Sequence, residues 1–173
     1  VEKKINIKCN CLAIAGGWTP AVHLFTQSGG KLKFRKEDQV FLPNVSQSKK
    51  ISIGSCTGDF KLNEIIKNLL LNVKNFLEIE NTEYDNLKIE CPSDSVKKNI
   101  WLLPSDKVIG KTKPFVDFQN DATAKDIKLA LREGFRSIEH VKRYTTTGMG
   151  TDQGKLGNMH ALGIVADTAG VKM

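Results

Sequence analysis

The chain has 173 residues, 40% hydrophobic and 26% charged, which is the balance of a soluble globular protein of one ordinary or two small domains. No apolar run approaches the ~18 residues that would span a bilayer, so membrane spanning, collagen-like repeats and wholesale disorder are excluded. The net charge of +7 is uneven: residues 1–75 hold 12 basic and 5 acidic side chains, residues 76–115 hold 6 and 7, and residues 116–173 hold 8 and 7. Only Arg35, Arg132, Arg136 and Arg143 are arginines, and aromatics are 7%. Base-edge readers rely on Arg forks and stacking aromatics, so no nucleic-acid partner is expected, and the lysines read as a solvated face. The chain starts at Val1 without a basic and then apolar leader. This predicts a cytoplasmic protein with reduced thiols, and the missing Met reads as an internal start.

In chain order, residues 5–15 alternate apolar and polar positions and then turn fully apolar, which predicts a strand that ends buried. It stops at Gly16-Gly17, followed by Trp18-Thr19-Pro20. Residues 31–34 and 40–42 are strand-like runs around a charged turn and predict a hairpin. Residues 50–56 read as another short strand, ended by Thr57-Gly58-Asp59. A helix is predicted over residues 61–76, with Leu62, Ile65, Ile66, Leu69 and Val73 on one face. Residues 77–113 are rich in acidic residues, Asn and Pro and read as a connector. Within it Ile100, Trp101, Leu102 and Leu103 form an apolar island that fits a short strand or a docking segment.

Residues 114–173 read as helical. Thr123 and Asp126 form a capping-box variant ahead of an apolar face of Ile127, Ala130 and Leu131. Gly134 stands where a C-cap belongs, and Ser137 can cap a second helix carrying Ile138 and Val141. A Gly turn at 147–150 leads to a third helix from Thr151 or Asp152, with Met159, Leu162 and Val165 as core candidates.

Three constellations carry chemistry. Gly16, Gly17, Trp18, Thr19 and Pro20 follow a strand, where glycines let a phosphate or ribose approach the backbone; taken alone, a strand ending in Gly-Gly is more often a plain tight turn. Gly58 and Asp59 close a Gly-rich turn before a helix, a place where an anion or ribose hydroxyl can be held; ordinary turn chemistry gives the same pattern. Arg143, Thr145 and Thr146, with Thr151, Gln153, Gly154 and Lys155, place two cations, several hydroxyls and free amides around a Gly turn. That suits a phosphate or the polar edge of a flavin, and equally a solvated junction. No complete dinucleotide fingerprint, G-x-S-x-G or H-E-x-x-H is present. Cys9 and Cys11 are spaced C-x-C, and Cys56, Cys91 and the three histidines have no near partner, so no metal site and no catalytic residue are expected.

Taken together and in order, these segments resemble the alpha subunit of heterotetrameric sarcosine oxidase. The most specific stretch is 115–155, FVDFQNDATAKDIKLALREGFRSIEHVKRYTTTGMGTDQGK; 16–32, GGWTPAVHLFTQSGGKL, is similar in the matching order, and 54–62, GSCTGDFKL, more weakly. The resemblance implies an α+β fold. Residues 1–76 would be the C-terminal part of a dinucleotide-binding domain, with short strands, a hairpin and one helix. Residues 77–113 would be a connector, and residues 114–173 a small all-helical domain resembling bacterioferritin-associated ferredoxin, whose cluster cysteines are missing here. It further implies NAD closed over by Gly16, Gly17, Trp18, Thr19, Pro20, Gly58 and Asp59, and FMN shared with a beta subunit near Arg143, Thr145, Thr146, Thr151, Gln153, Gly154 and Lys155. FAD would sit in the beta subunit and tetrahydrofolate in a further C-terminal domain. The activity implied is oxidative demethylation of sarcosine to glycine within a heterotetramer, with hydrogen peroxide as a product. A related amine or opine dehydrogenase subunit and a non-catalytic interaction segment share these motifs.

Overall fold

The computed structural model describes residues 5–13, 18–46, 50–80, 89, 100–103 and 111–173. Gly16 and Gly17, most of the region from 77 to 113, and the end of the expected first strand lie outside them.

Residues 5–13 do not form the expected strand; all nine are exposed. Apolar alternation specifies a strand only when a neighbour completes its ladder, and among the described residues none runs beside it. The first element is instead a short helix, α1 (His23–Gln27), which buries Phe25. The expected hairpin is present: β1 (Lys31–Arg35) pairs antiparallel with β2 (Val40–Val45). Its register slips where Leu32 faces Pro43, since proline cannot donate to a ladder. Phe34 and Phe41 form a cross-strand pair with centroids 5.1 Å apart. Val40 and Leu42 turn to the opposite face and are buried. Lys50 reaches across to α1, donating to Phe25 O at 3.0 Å and Ser28 O at 3.1 Å while its ammonium lies 4.5 Å from the Phe25 ring centroid.

The strand expected at 50–56 is also replaced. Among the described residues no strand forms at 50–53, and Ser55–Thr57 is one turn of 3-10 helix. The Thr57 hydroxyl donates to Gly54 O at 2.7 Å, so a local side-chain bond takes the place of a ladder. The predicted helix is found as α2 (Leu62–Leu77). Its apolar period is as expected, yet none of its residues is buried, and Leu62, Leu69 and Val73 are exposed.

The C-terminal elements have their own core. The region is not all-helical: β3 (Phe115–Asp117) and β4 (Ala122–Thr123) form an antiparallel pair ahead of the helices. Between them the Gln119 and Asn120 amides donate to Asp117 and close a turn, which a search for helical periods overlooks. The capping box on α3 (Ala124–Arg132) is reciprocal: the Asp126 amide donates to Thr123 Oγ1 at 3.4 Å, and the Thr123 amide donates to Asp126 Oδ2 at 2.8 Å. Gly134 follows with φ +100°, the left-handed step that ends a helix. Ser137 stands at the N-cap of α4 (Ile138–Thr145), although its hydroxyl makes no capping bond.

The third helix starts later than expected. Gln153 and Gly154 both have positive φ, which breaks any helix begun at 151, and α5 is Asn158–Ala169. Its buried residues are Ala161, Gly163, Ile164, Val165 and Ala166; of the expected core positions Val165 is buried, while Met159 and Leu162 are half-buried. Small residues dominate because α5 packs closely on α3, whose Ala124, Ile127 and Ala130 are fully buried. Val116, Val141 and Ile164 complete the core, and burying each aliphatic side chain contributes roughly 1.5–3 kcal/mol. Of the two readings of the apolar island, docking is the one realised. Trp101 and Leu102 pack on this core, and the Trp101 ring covers Gly163 so closely that a Cβ there has no room.

Candidate functional site

The 143–155 constellation is built on the end of α4 and the turns that follow. Thr146 closes α4 in the left-handed region, at φ 58°. The chain then makes successive turns to Gly157, and Gly148 and Gly154 come together with the Asn158 carboxamide filling the space beside both.

These turns are held by the β3–β4 turn. The buried Asp117 carboxylate accepts from the Gly148 amide at 2.6 Å. Its other oxygen accepts from the Gln119 and Asn120 amides at 2.8 and 3.0 Å, an Asx-turn. Gln119 Oε1 accepts from the Thr151 amide at 2.6 Å and its hydroxyl at 2.8 Å. Asn120 Nδ2 donates to Thr146 O at 3.1 Å. Burial pushes the Asp117 carboxyl up, but the bonds from Gly148, Asn120 and Gln119 outweigh it, and it lies below its ordinary range.

The expected site residues divide by what their side chains already do. Thr145 turns inward, its hydroxyl bonded to Val141 O at 2.8 Å and to Thr147 Oγ1 at 2.7 Å. Thr151 is held by Gln119, Gln153 Nε2 donates to Gly150 O at 3.1 Å, and the Gly154 amide donates to Asp152 at 3.2 Å. Arg143, Thr146 and Lys155 are exposed, and among the described residues neither Arg143 nor Lys155 forms an ion pair. The arrangement is therefore a hydrogen-bonded series of turns with one exposed cation before it, Arg143 in the last turn of α4, and one within it, Lys155, each suited to meeting an anionic group. Beside it runs a groove of about 590 Å³, walled by Trp101, Leu103, Phe115, Phe118, Leu156 and His160. Sequence reasoning missed Asp117, Gln119, Asn120 and Asn158. The first three were signalled by an Asp two and three residues ahead of polar partners, which is Asx-turn chemistry.

The other two constellations are not brought into one site. Trp18 and Thr19 are exposed and Pro20 is buried, and among the described residues no hydrogen bond joins them to Gly58 or Asp59. Gly58 has φ +79° and sits under Arg35. Arg35 Nη2 donates to Gly58 O at 3.0 Å, while Nε donates to Asp38 at 2.8 Å. The Asp59 carboxylate accepts from the Thr57 hydroxyl at 3.0 Å. Hydrogen bonding by Arg35 holds the buried Asp38 carboxyl below its ordinary range.

Comparison with known proteins bears on the turn region first: a family model described as the sarcosine oxidase A3 domain matches residues 111–173. Nearly the whole chain is also similar to curated alpha subunits. It is 35% identical over 176 residues, 95% of the chain, to sarcosine oxidase subunit alpha of Rhizobium meliloti (strain 1021). The chain matches a fragment of a sarcosine oxidase alpha subunit. The corresponding subunits of Corynebacterium sp. strains P-1 and U-96 are 30% and 28% identical over 174 residues, each covering 95% of the chain. The chain spans 17–18% of the length of these sarcosine oxidase relatives. Within the matched A3 region fall β3, β4 and all three C-terminal helices, so the Asp117-held turn is part of it. Among the described residues, no helix is long and apolar enough to cross a membrane, and no group of three or more His, Cys, Asp or Glu could hold a metal ion.

Proposed function

We propose that this chain serves an alpha subunit of the heterotetrameric sarcosine oxidase type, and that its 143–155 turn contacts FMN at the boundary with the beta subunit. The assembly would oxidise the N-methyl group of sarcosine, with glycine and hydrogen peroxide as products and the one-carbon unit passed to tetrahydrofolate. FAD would sit in the beta subunit. The residues present fit an FMN phosphate or the polar edge of its ring: Arg143, in the last turn of α4, and Lys155, in the turns that follow, are exposed cations on either side of a segment held by Asp117 and Gln119. Those two exposed cations flanking a held segment are the observation that carries the reading, and the match to sarcosine oxidase alpha subunits supports it. Bound FMN would relay electrons; this chain's own part is to bind and orient it.

For NAD the fit is incomplete. The open side of Gly58 is filled by Arg35 and Leu42, and Asp59 is engaged by Thr57. Among the described residues, closure of an NAD site is therefore proposed for the exposed Trp18 and Thr19, and no chemical step is assigned to them.

The test is FMN retention in the intact alpha–beta assembly. Arg143→Ala and Lys155→Ala should each release FMN on gel filtration, read as loss of the bound flavin's visible absorption. Removing a charge-assisted hydrogen bond weakens binding by roughly tenfold or more. Unchanged flavin occupancy in both variants would remove these residues as ligands.

A further inference from the structure

We infer that Asp117, Gln119 and Asn120 are positioning residues, which hold the 146–151 segment from three points and so set where the flavin-facing cations stand. The inference rests on the flavin reading of the 143–155 turn. None of the three is expected to touch the ligand.

The anchoring is specific in its spacing. One short turn sends Asn120 to the carbonyl of Thr146, Asp117 to the amide of Gly148, and Gln119 to the amide and hydroxyl of Thr151. The donors and acceptors fall on three different peptides of the held segment, so translation in either direction breaks at least one bond. Gly150 has no room for a Cβ beside the Gln119 side chain, which is what allows this approach. The held segment needs such support. Thr146 lies in the left-handed region, unfavourable for a residue with a Cβ, and such backbone persists where its surroundings over-determine it.

The acceptor count shows that Asp117 acts through the loop. One oxygen takes the Gln119 and Asn120 amides; the other takes the Gly148 amide and, at 3.4 Å, the Asn120 side-chain amide. A carboxylate offers about four lone-pair sites, so none is left for a ligand. Gln119 Oε1 likewise has both lone pairs on Thr151. Arg143 lies just before the first anchor at 146, and Lys155 just after the last at 151, so the cations are carried at the two ends of the clamped stretch.

The experiment uses the intact alpha–beta assembly and two variants of the exposed Gln119, with hydrogen–deuterium exchange of the 146–151 peptide and FMN retention as separate readouts. Gln119→Ala should raise exchange in that peptide by about tenfold, the loss of two hydrogen bonds, and weaken FMN retention by several-fold. Gln119→Glu keeps an acceptor at the same reach and should restore both. Unchanged exchange in Gln119→Ala overturns the clamp. Raised exchange with unaltered FMN retention overturns the positioning role. Arg143→Ala and Lys155→Ala, read beside them, tell a failed flavin assignment, in which neither moves FMN, from a failed clamp, in which they do and Gln119→Ala does not.

Discussion

The Gly148 amide donates to the Asp117 carboxylate at 2.6 Å across thirty-one positions of sequence. Asp117 thereby joins the start of the C-terminal core, on β3, to the turn that follows α4. Both groups are buried, so this bond is made away from competing water and its loss leaves a polar group unsatisfied.

Asp117→Ala should therefore destabilise the chain by about 2–4 kcal/mol, measured by denaturant unfolding. Asp117→Asn should be only slightly better tolerated. Its oxygen can still accept from Gln119 and Asn120, but its NH2 then faces the Gly148 amide, donor against donor. A variant of either kind with wild-type stability would show that the bond contributes little.

The same carboxylate predicts an acid limb. Asp117, Asp38 and Asp126 all have folded-state pKa values below their ordinary one, each held down by hydrogen bonds to the charged form. A depressed folded pKa means stability that is fully present above the unfolded value, about 3.9 for Asp. It is lost as pH falls through the folded value. Unfolding free energy should be flat near neutrality and decline from about pH 5 downward. Asp117→Asn should make that decline shallower, which thermal melts from pH 7 to 3 will show.

Trp101 lying on Gly163 gives a prediction with its own optical probe. The chain has two tryptophans, and Trp18 is 81% exposed. In a Trp18→Phe background, emission should come from the half-buried Trp101, whose ring also meets His160 edge-on at 6.0 Å. Gly163→Leu should displace the indole, shift emission to the red, and cost roughly 1–3 kcal/mol of overpacking. Unshifted emission would mean that Trp101 does not rest on α5 in solution.

What the sequence shows depends on how local the cause is. The hairpin, α2, the Thr123–Asp126 box and the Gly134 stop are legible because short-range chemistry decides them. Apolar alternation predicts a strand over residues 5–15 and a β-branched run predicts one over 50–56, but such patterns state only which face could be buried, and a strand also needs a neighbour. At 151–157 propensity favoured a helix, while positive φ at Gln153 and Gly154 overrode it. The cations at 143 and 155 could be picked out as residue types. The turn that holds them could not, because Asp117 and Gln119 meet it only after the chain has folded back through two helices.

Gly58 and Gly134 separate two costs that a glycine substitution usually mixes. Both have positive φ, +79° and +100°, so alanine is strained at either. Around Gly134 nothing lies within 4 Å of an added Cβ, whereas at Gly58 that atom meets the Arg35 guanidinium and, at 2.9 Å, a Leu42 methyl. Gly134→Ala should thus cost the backbone term alone, about 1 kcal/mol. Gly58→Ala should cost that and a further 1–3 kcal/mol or so as Arg35 is pushed from Gly58 O and from Asp38. Because Gly58 touches the hairpin and Gly134 follows α3 of the C-terminal core, the two variants are best compared by hydrogen exchange near each glycine, at β1–β2 for Gly58 and at α3 for Gly134. Equal losses of protection would mean that Arg35 moves aside freely, and that its bridge from the hairpin to the Gly58 turn adds nothing to the stability of the N-terminal elements.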